Sequence, residues 1–247
     1  MHEFQMHDEV GCFITLTYDD QHLPFGGTLV KHHFQDFMKR LRKRISPQRV
    51  RYYYCGEYGD QTDRPHYHAL LFGFEFEDAE LLGTRDGNPV YVSETLAKLW
   101  PFGLHEIGSI TFESAGYVAR YILKKQLGKD ADEAYATAIY LGDYQFYRTP
   151  EFTDMSRRPG IGYSWVQEYA ADVFPSDEMY MPGRGIVGGV PRYYMDIHEM
   201  TNPGEVEQVR QKRRDFFYRY FGDLTPARLK DRETVQEAKL QFLTRSL

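Results

Sequence analysis

Hydrophobic positions along the chain alternate between two periods. CFITLTY, residues 12–18, is β-branched and apolar and runs into the turn signal DDQHLPFGG, which predicts a strand followed by a loop. In LVKHHFQDFMKRLRKRI the apolar residues Phe34, Phe37, Met38, Leu41 and Ile45 recur every three or four positions. That is the pattern of an amphipathic helix with one basic face, and Pro47 follows its end. RVRYYYCGEYG predicts a second strand and HYHALLFG a third, joined by DQTDR, a connection short enough for an antiparallel pair. After a charged loop, GNPVYVSETLAKLWPFG predicts a short strand and a helix, GLHEIGSI a fourth main strand, and SAGYVARYILKKQ a helix with Ser114 as its cap.

The order strand, helix, strand, strand, helix, strand, helix predicts an α+β fold: a central antiparallel sheet with flanking helices on a ferredoxin-like or RNA-recognition-motif plan. Beyond residue 126 the pattern weakens. DADEAYATAIYLG allows a helix, YSWVQEYAADVF predicts one, MPGRGIVGGVPRYY reads as loop, and residues 203–221 and 225–247 give two helices that each start near a proline. The predicted organisation is one domain over residues 1–180, with its core at 10–126, and a loop and helical C-terminal extension over 181–247. No repeat or long heptad run is present.

Composition narrows the class. With 247 residues, 42% of them apolar and 16% aromatic, the chain can bury a sizeable core. No segment has the roughly 20 apolar residues of a membrane span, and MHEFQMHDEVGC lacks the apolar centre of a signal peptide, which predicts a cytosolic protein. The two cysteines, Cys12 and Cys55, both fall in predicted strands and read as reduced packing residues. The net charge of −6 does not suit a general nucleic-acid binder, yet cations are gathered locally in KRLRKR at 39–44, in SRR ending at Arg158 and in RQKRR at 210–214. Each cluster taken alone is equally a solvated helix face.

Candidate chemistry sits in the hairpin. Alternation puts His66, His68, Leu70 and Phe72 on one side of the third strand, and Tyr67, Ala69 and Leu71 on the other. If Glu57 lies opposite His66, then Cys55 lies opposite His68, and one carboxylate shares a face with two imidazoles. That donor set suits Mn²⁺ or Mg²⁺ with open positions better than a closed structural zinc site. In YVARYILKK, Tyr117 and Tyr121 are helical neighbours with Cβ atoms about 5–6 Å apart, and Lys124 falls on roughly the same side. Val118, Ile122 and Ala119 remain to supply the buried face. An aromatic pair at this spacing is by itself ordinary core. Thr15 and Thr17 read as structural or DNA-contacting residues, and His32, His33 and His105 as non-ligands.

Together these residues resemble a known group. RPHYH is similar to the His-hydrophobic-His motif of the HUH endonucleases, YVARYILKK to the paired-tyrosine motif of their replication initiators, and FITLTYDD to their first motif. CGEYGDQTDRPHYHALLFG, MSRRPGIGYSW and PRYYMD resemble the initiators of microviruses, most closely the gokushovirus branch, over roughly residues 10–195. Those initiators carry more sequence upstream than MHEF. The resemblance implies a rolling-circle initiator that nicks one strand at an origin, with Tyr117 and Tyr121 as nucleophiles, Lys124 assisting, and His66, His68 and Glu57 holding the ion. A phenol with a pKa near 10 is only about one-thousandth phenolate at pH 7, so such help is required.

Arg40, Arg42, Lys43, Arg44, Arg157 and Arg158 are the candidates for tracking a single-stranded origin or hairpin. No GxxxxGK[ST] loop is present, so unwinding is expected of a host helicase, with a host polymerase extending the 3′ end in the bacterial cytoplasm. Two other readings stay open: a non-catalytic nucleic-acid binding module of the same fold, and a metallo-phosphohydrolase that uses water.

Overall fold

The computed structural model describes residues 1–59, 62–85, 87–124, 138–141 and 144–241, without the side chains at 120–124, 138–141, 144, 146, 240 and 241. It divides into two compact units, one comprising Met1 and Glu3–Ile161, the other His2 and Gly162–Leu247.

After a short helix α1 (His2–Gln5), the first unit runs β1 (Gly11–Thr17), α2 (Lys31–Ile45), β2 (Arg51–Tyr58), β3 (Pro65–Phe72), β4 (Ala79–Arg85), β5 (Asn88–Ser93), α3 (Glu94–Leu99), β6 (His105–Ser109) and α4 (Phe112–Lys124). Three short strands follow: β7 (Ala138–Leu141), β8 (Tyr144–Tyr147) and β9 (Phe152–Met155). One seven-stranded sheet has the order β4-β5-β6-β1-β3-β2-β9, and every pairing in it is antiparallel. Its central four strands, β6-β1-β3-β2, reproduce the predicted plan, with β4 and β5 added at one edge and β9 at the other.

The two faces of this sheet do different work. On one, Phe34, Phe37, Met38 and Leu41 of α2 and Leu96 and Leu99 of α3 pack on Ile14, Leu16, Tyr54, Tyr67, Ala69 and Leu71 to form the main core. Fully burying side chains of this size contributes about 1.5–3 kcal/mol each, which fixes which way the strands face. A polar cluster is built into this core, where the Tyr18 and Tyr67 hydroxyls lie 2.8 Å apart and Val30 N–H donates to Tyr67 at 2.9 Å. The other face carries α4, which crosses β2, β3 and β9 and buries Val118 completely.

Backbone bonds from Thr17 N–H to the Leu104 carbonyl and from Asp19 N–H to the Phe102 carbonyl, both 2.9 Å, clamp the end of β1. Gly103 allows this approach: its φ is +149°, and a Cβ there would stand 2.2 Å from the Asp19 nitrogen.

Several expectations are corrected. The cap of α4 is Thr111 rather than Ser114: Ser114 N–H donates to Thr111 Oγ1 at 3.1 Å, and Thr111 N–H donates to Ser114 Oγ at 2.8 Å, a reciprocal box. Ala119, offered as buried, is exposed. The charged loop after β3 contains β4, which is solvated along nearly its whole length and so lacks apolar alternation. Residues 138–141 of the segment read as a possible helix form β7, paired with β8, while 130–137 lie outside the described residues. In the second unit, MPGRGIVGGVPRYY is not all loop, for Glu178–Met181 and Gly185–Gly188 pair as a hairpin and Arg192–Glu199 is a helix. Helices Tyr163–Val173, Pro203–Arg219 and Pro226–Gln241 stand where the sequence predicts them. Among the described residues, no helix is long and apolar enough to cross a membrane.

Candidate active site

Glu57 pairs with His66 and Cys55 with His68 in the β2–β3 ladder, the register expected from alternation. The opposite edge of β3 pairs with β1, setting Thr15 beside His68 and Thr17 beside His66. One row across the sheet therefore reads Thr15, His68, Cys55, and the next reads Thr17, His66, Glu57. All lie on the face that α4 covers.

Contacts among these residues are direct. His68 Nε2 donates to Glu57 Oε1 at 2.6 Å, and Tyr117 Oη donates to the same oxygen at 3.0 Å. The Tyr117 ring stands edge-on to His68, with centroids 5.1 Å apart. Glu57 is 4% exposed. A carboxylate so deep is tolerated because donors meet it.

Each imidazole is oriented from behind. His66 Nδ1 donates to the Arg64 carbonyl, which leaves the Nε2 lone pair unprotonated and presented. Burial pushes the His66 pKa below its ordinary value, against a smaller opposing effect of that carbonyl, and so favours the neutral ring. Backbone packs closely on it, since a Cβ at Gly59 would lie 3.1 Å from His66 Cε1. His68 Nδ1 lies 3.0 Å from the Thr15 hydroxyl, and Phe13 stacks on the ring at 5.6 Å. Arg64 ties the end of β1 to the start of β3 by donating to the Tyr18 carbonyl at 2.8 Å and pairing with Asp20. The DD of FITLTYDD and the R of RPHYH thus form one clamp.

In donor chemistry the two imidazoles and one carboxylate fit a divalent ion. As they stand, no trio of His, Cys, Asp or Glu among the described residues is set to hold a metal: Glu57 is closed onto His68 Nε2. Ligation by all three requires the carboxylate to turn away from that nitrogen.

Of the predicted site residues, Glu57, His66, His68 and Tyr117 come together. Tyr121 and Lys124 lie on the last turns of α4, and their side chains fall outside the description. Arg40, Arg42, Lys43 and Arg44 are not brought to the site, because they sit on α2 across the sheet. Arg40 Nε donates to the Leu99 carbonyl at 3.0 Å, holding α2 to α3. Arg157 pairs with Asp154 at 2.6 Å and Arg158 is exposed beside it. His105 pairs with Leu16 and points to the core side, and His33 meets the Tyr18 hydroxyl at 2.7 Å. Thr15 is the residue that sequence reasoning undervalued. The signal was available in the register, once β1 is paired with β3 so that Thr15 opposes His68.

Fold and site define an α+β protein with a His-x-His strand beside a carboxylate and a helix-borne tyrosine, and comparison with known proteins supplies the family. A family model for replication-associated proteins of the ORF2 type matches residues 11–126, the span from β1 to just past α4. The chain is 37% identical over 211 residues to Replication-associated protein VP4 of Bdellovibrio phage phiMH2K, covering 82% of this chain and 62% of that protein. It is 31% identical to Replication-associated protein ORF2 of Spiroplasma virus 4, over 78% of this chain and 59% of the relative. Against Replication-associated protein ORF4 of Chlamydia phage 1 the identity is 29%, over 79% and 47%. The chain belongs to this family of microvirus-like phage replication-associated proteins. It spans between about half and three-fifths of the length of these relatives. No solved structure matches it significantly.

Proposed function

We propose that the chain initiates rolling-circle replication of a phage genome by nicking single-stranded origin DNA, with Tyr117 as the attacking group. The observation that carries this reading is the Tyr117 hydroxyl donating to Glu57 at 3.0 Å, which sets a phenol against the histidine–carboxylate cluster. Membership of the replication-associated family supports the role in replication.

In the proposed reaction Tyr117 Oη attacks the phosphorus in line. A Tyr–O–P bond forms, the P–O3′ bond breaks, and the phenol proton passes to the neighbouring acceptor side. The product is a 5′-phosphotyrosine ester and a free 3′ hydroxyl, so the phosphodiester is conserved and the step reverses when a 3′ hydroxyl returns. A divalent ion of the Mg²⁺ or Mn²⁺ kind, held by His66, His68 and Glu57, would supply Lewis-acid polarisation of the scissile phosphate. Thr15 and the Arg64 carbonyl hold the two rings in place. Tyr121, one helical turn on, is the second nucleophile that cuts the regenerated origin, and Lys124 offsets phosphate charge. Host helicase and polymerase in the bacterial cytoplasm would complete the cycle.

The test is incubation of the chain with an origin oligonucleotide and Mn²⁺, followed by a denaturing gel. The wild type gives a covalent protein–DNA band and Tyr117→Phe loses it. A band of unchanged intensity in Tyr117→Phe removes Tyr117 from the role.

A further inference from the structure

Three basic clusters in the sequence have three different fates. In RQKRR, Arg210 is held by Glu199 at 2.6 Å, Arg213 by Asp177 at 2.6 Å and Arg214 by Glu207 at 2.5 Å, so the second unit neutralises its own cations. The cluster on α2 is treated otherwise. Lys39, Arg42, Lys43 and Arg44 are exposed, as is Arg49 just beyond the helix. Of these, only Lys39 has an acidic partner among the described residues, Asp36 at 2.9 Å.

The third cluster comes to the second. Tyr54 pairs with Asp154 across β2 and β9, so Asp154 shares the α2 face, and Arg157 is anchored to it. Arg42 lies 5.3 Å over the Tyr52 ring, and both Arg42 and Arg157 act electrostatically on that phenol. Segments more than a hundred residues apart therefore make one positive surface around Tyr52, on a chain whose net charge is −6.

Helix-dipole stabilisation accounts for cations in the last turn of α2, where Arg42, Lys43 and Arg44 fall. It does not account for Lys39, Arg49 or the convergence of Arg157. Between this surface and the sheet stands the whole helix, about 10–12 Å across. A strand threaded past Tyr117 on the opposite face does not reach it.

We propose that the outer face of α2, continued over Tyr52 to Arg157, holds duplex DNA flanking the single-stranded segment engaged at Tyr117. Duplex is the occupant because the outer face of α2 is charge without a stacking platform: Lys31, His32, Gln35, Lys39, Arg42 and Lys43 are exposed there and no Phe, Tyr or Trp is. Single-strand sites pair cations with aromatic rings, whereas duplex presents about one charge per 1.7 Å of axis to a rigid cationic surface. The proposal rests on the chain acting on DNA, and not on the nicking chemistry.

Its test is fluorescence anisotropy with a labelled duplex of about 20 base pairs, measured on the full chain between about 50 and 200 mM salt. Each neutralised phosphate contact contributes about 0.9 to the log–log salt slope. Lys39→Gln with Arg42→Gln and Lys43→Gln should flatten the slope by about 2.7 while leaving the thermal melt cooperative. Arg157→Gln, from a different segment, should flatten it by about 0.9. Tyr117→Phe should lose the covalent adduct and keep the wild-type slope, so this proposal and the nicking reading fail separately. Slopes that match the wild type in both cation variants overturn the proposal. Displacement of the duplex by an equal concentration of single strand of the same length overturns the choice of duplex.

Discussion

Replacing Glu57 by Gln separates what the carboxylate does for folding from what it does for chemistry. Two donors meet Glu57 Oε1, His68 Nε2 at 2.6 Å and Tyr117 Oη at 3.0 Å, and the amide oxygen of Gln can accept from both. Hydrogen bonds to a charged acceptor contribute about 1.5–3 kcal/mol and neutral ones about 0.5–1.5, so the exchange weakens the pair by roughly 2 kcal/mol. Against this, the amide escapes the penalty of burying a charge, which is several kcal/mol for an ion this far from water. The two terms offset, and Glu57→Gln should shift stability by no more than about 2 kcal/mol, or about 4–8 °C in Tm for a chain of this size.

Ion binding has no such compensation. Loss of the one anionic donor should cost more than the about 10–100-fold typical of losing a residue that only orients a ligand. Isothermal titration with Mn²⁺ on the folded variant, beside its melt, reads both quantities. An unaltered Mn²⁺ titration removes Glu57 from the ligand set, and a Tm lowered by about 15 °C or more makes the carboxylate a structural group instead.

Thr15→Val should weaken Mn²⁺ binding and nicking by about 10–100-fold, with Thr15→Ser restoring both, because a hydroxyl can donate to His68 Nδ1 or accept from it as the ring changes tautomer and Val can do neither. Equal activity in Val and Ser variants would make Thr15 a packing residue. Gly103→Ala should destabilise the first unit by more than about 3 kcal/mol, read by denaturant unfolding, since its Cβ would stand 2.2 Å from the Asp19 nitrogen at a φ of +149°. A loss below about 1 kcal/mol would show that the end of β1 is not clamped there.

The central strands and their register were legible because their alternation is strong. His66 and His68 share a face whatever else is true of β3, and the two-residue period carries Glu57 to them once the hairpin is closed. Helix α2 announced itself through Phe34, Phe37, Met38 and Leu41. What stayed hidden has a common cause in missing or ambiguous period. Strand β4 is solvated on both sides, and the Glu178–Gly188 hairpin is written in glycines. The cap of α4 was misplaced by three residues because Thr111 and Ser114 cap each other, and the sequence offers both. The basic residues of α2 were assigned to the scissile strand because a sequence tells which face of a helix is charged but not which side of a sheet it covers. Only the packing of Phe34 on Tyr54, with ring centroids 3.8 Å apart, turns that charge away from Tyr117.

The most direct test of the account is the identity of the residue that carries DNA. Cleavage after Arg120 by trypsin places Tyr117 and Tyr121 on different peptides, so digestion of the covalent complex formed with a single-stranded origin oligonucleotide, followed by mass spectrometry, distinguishes them. The account predicts a nucleotide ester on the peptide ending at Arg120, on Tyr117, in the first turnover. Nucleotide attached to neither peptide, with the strand cut by water, would contradict it.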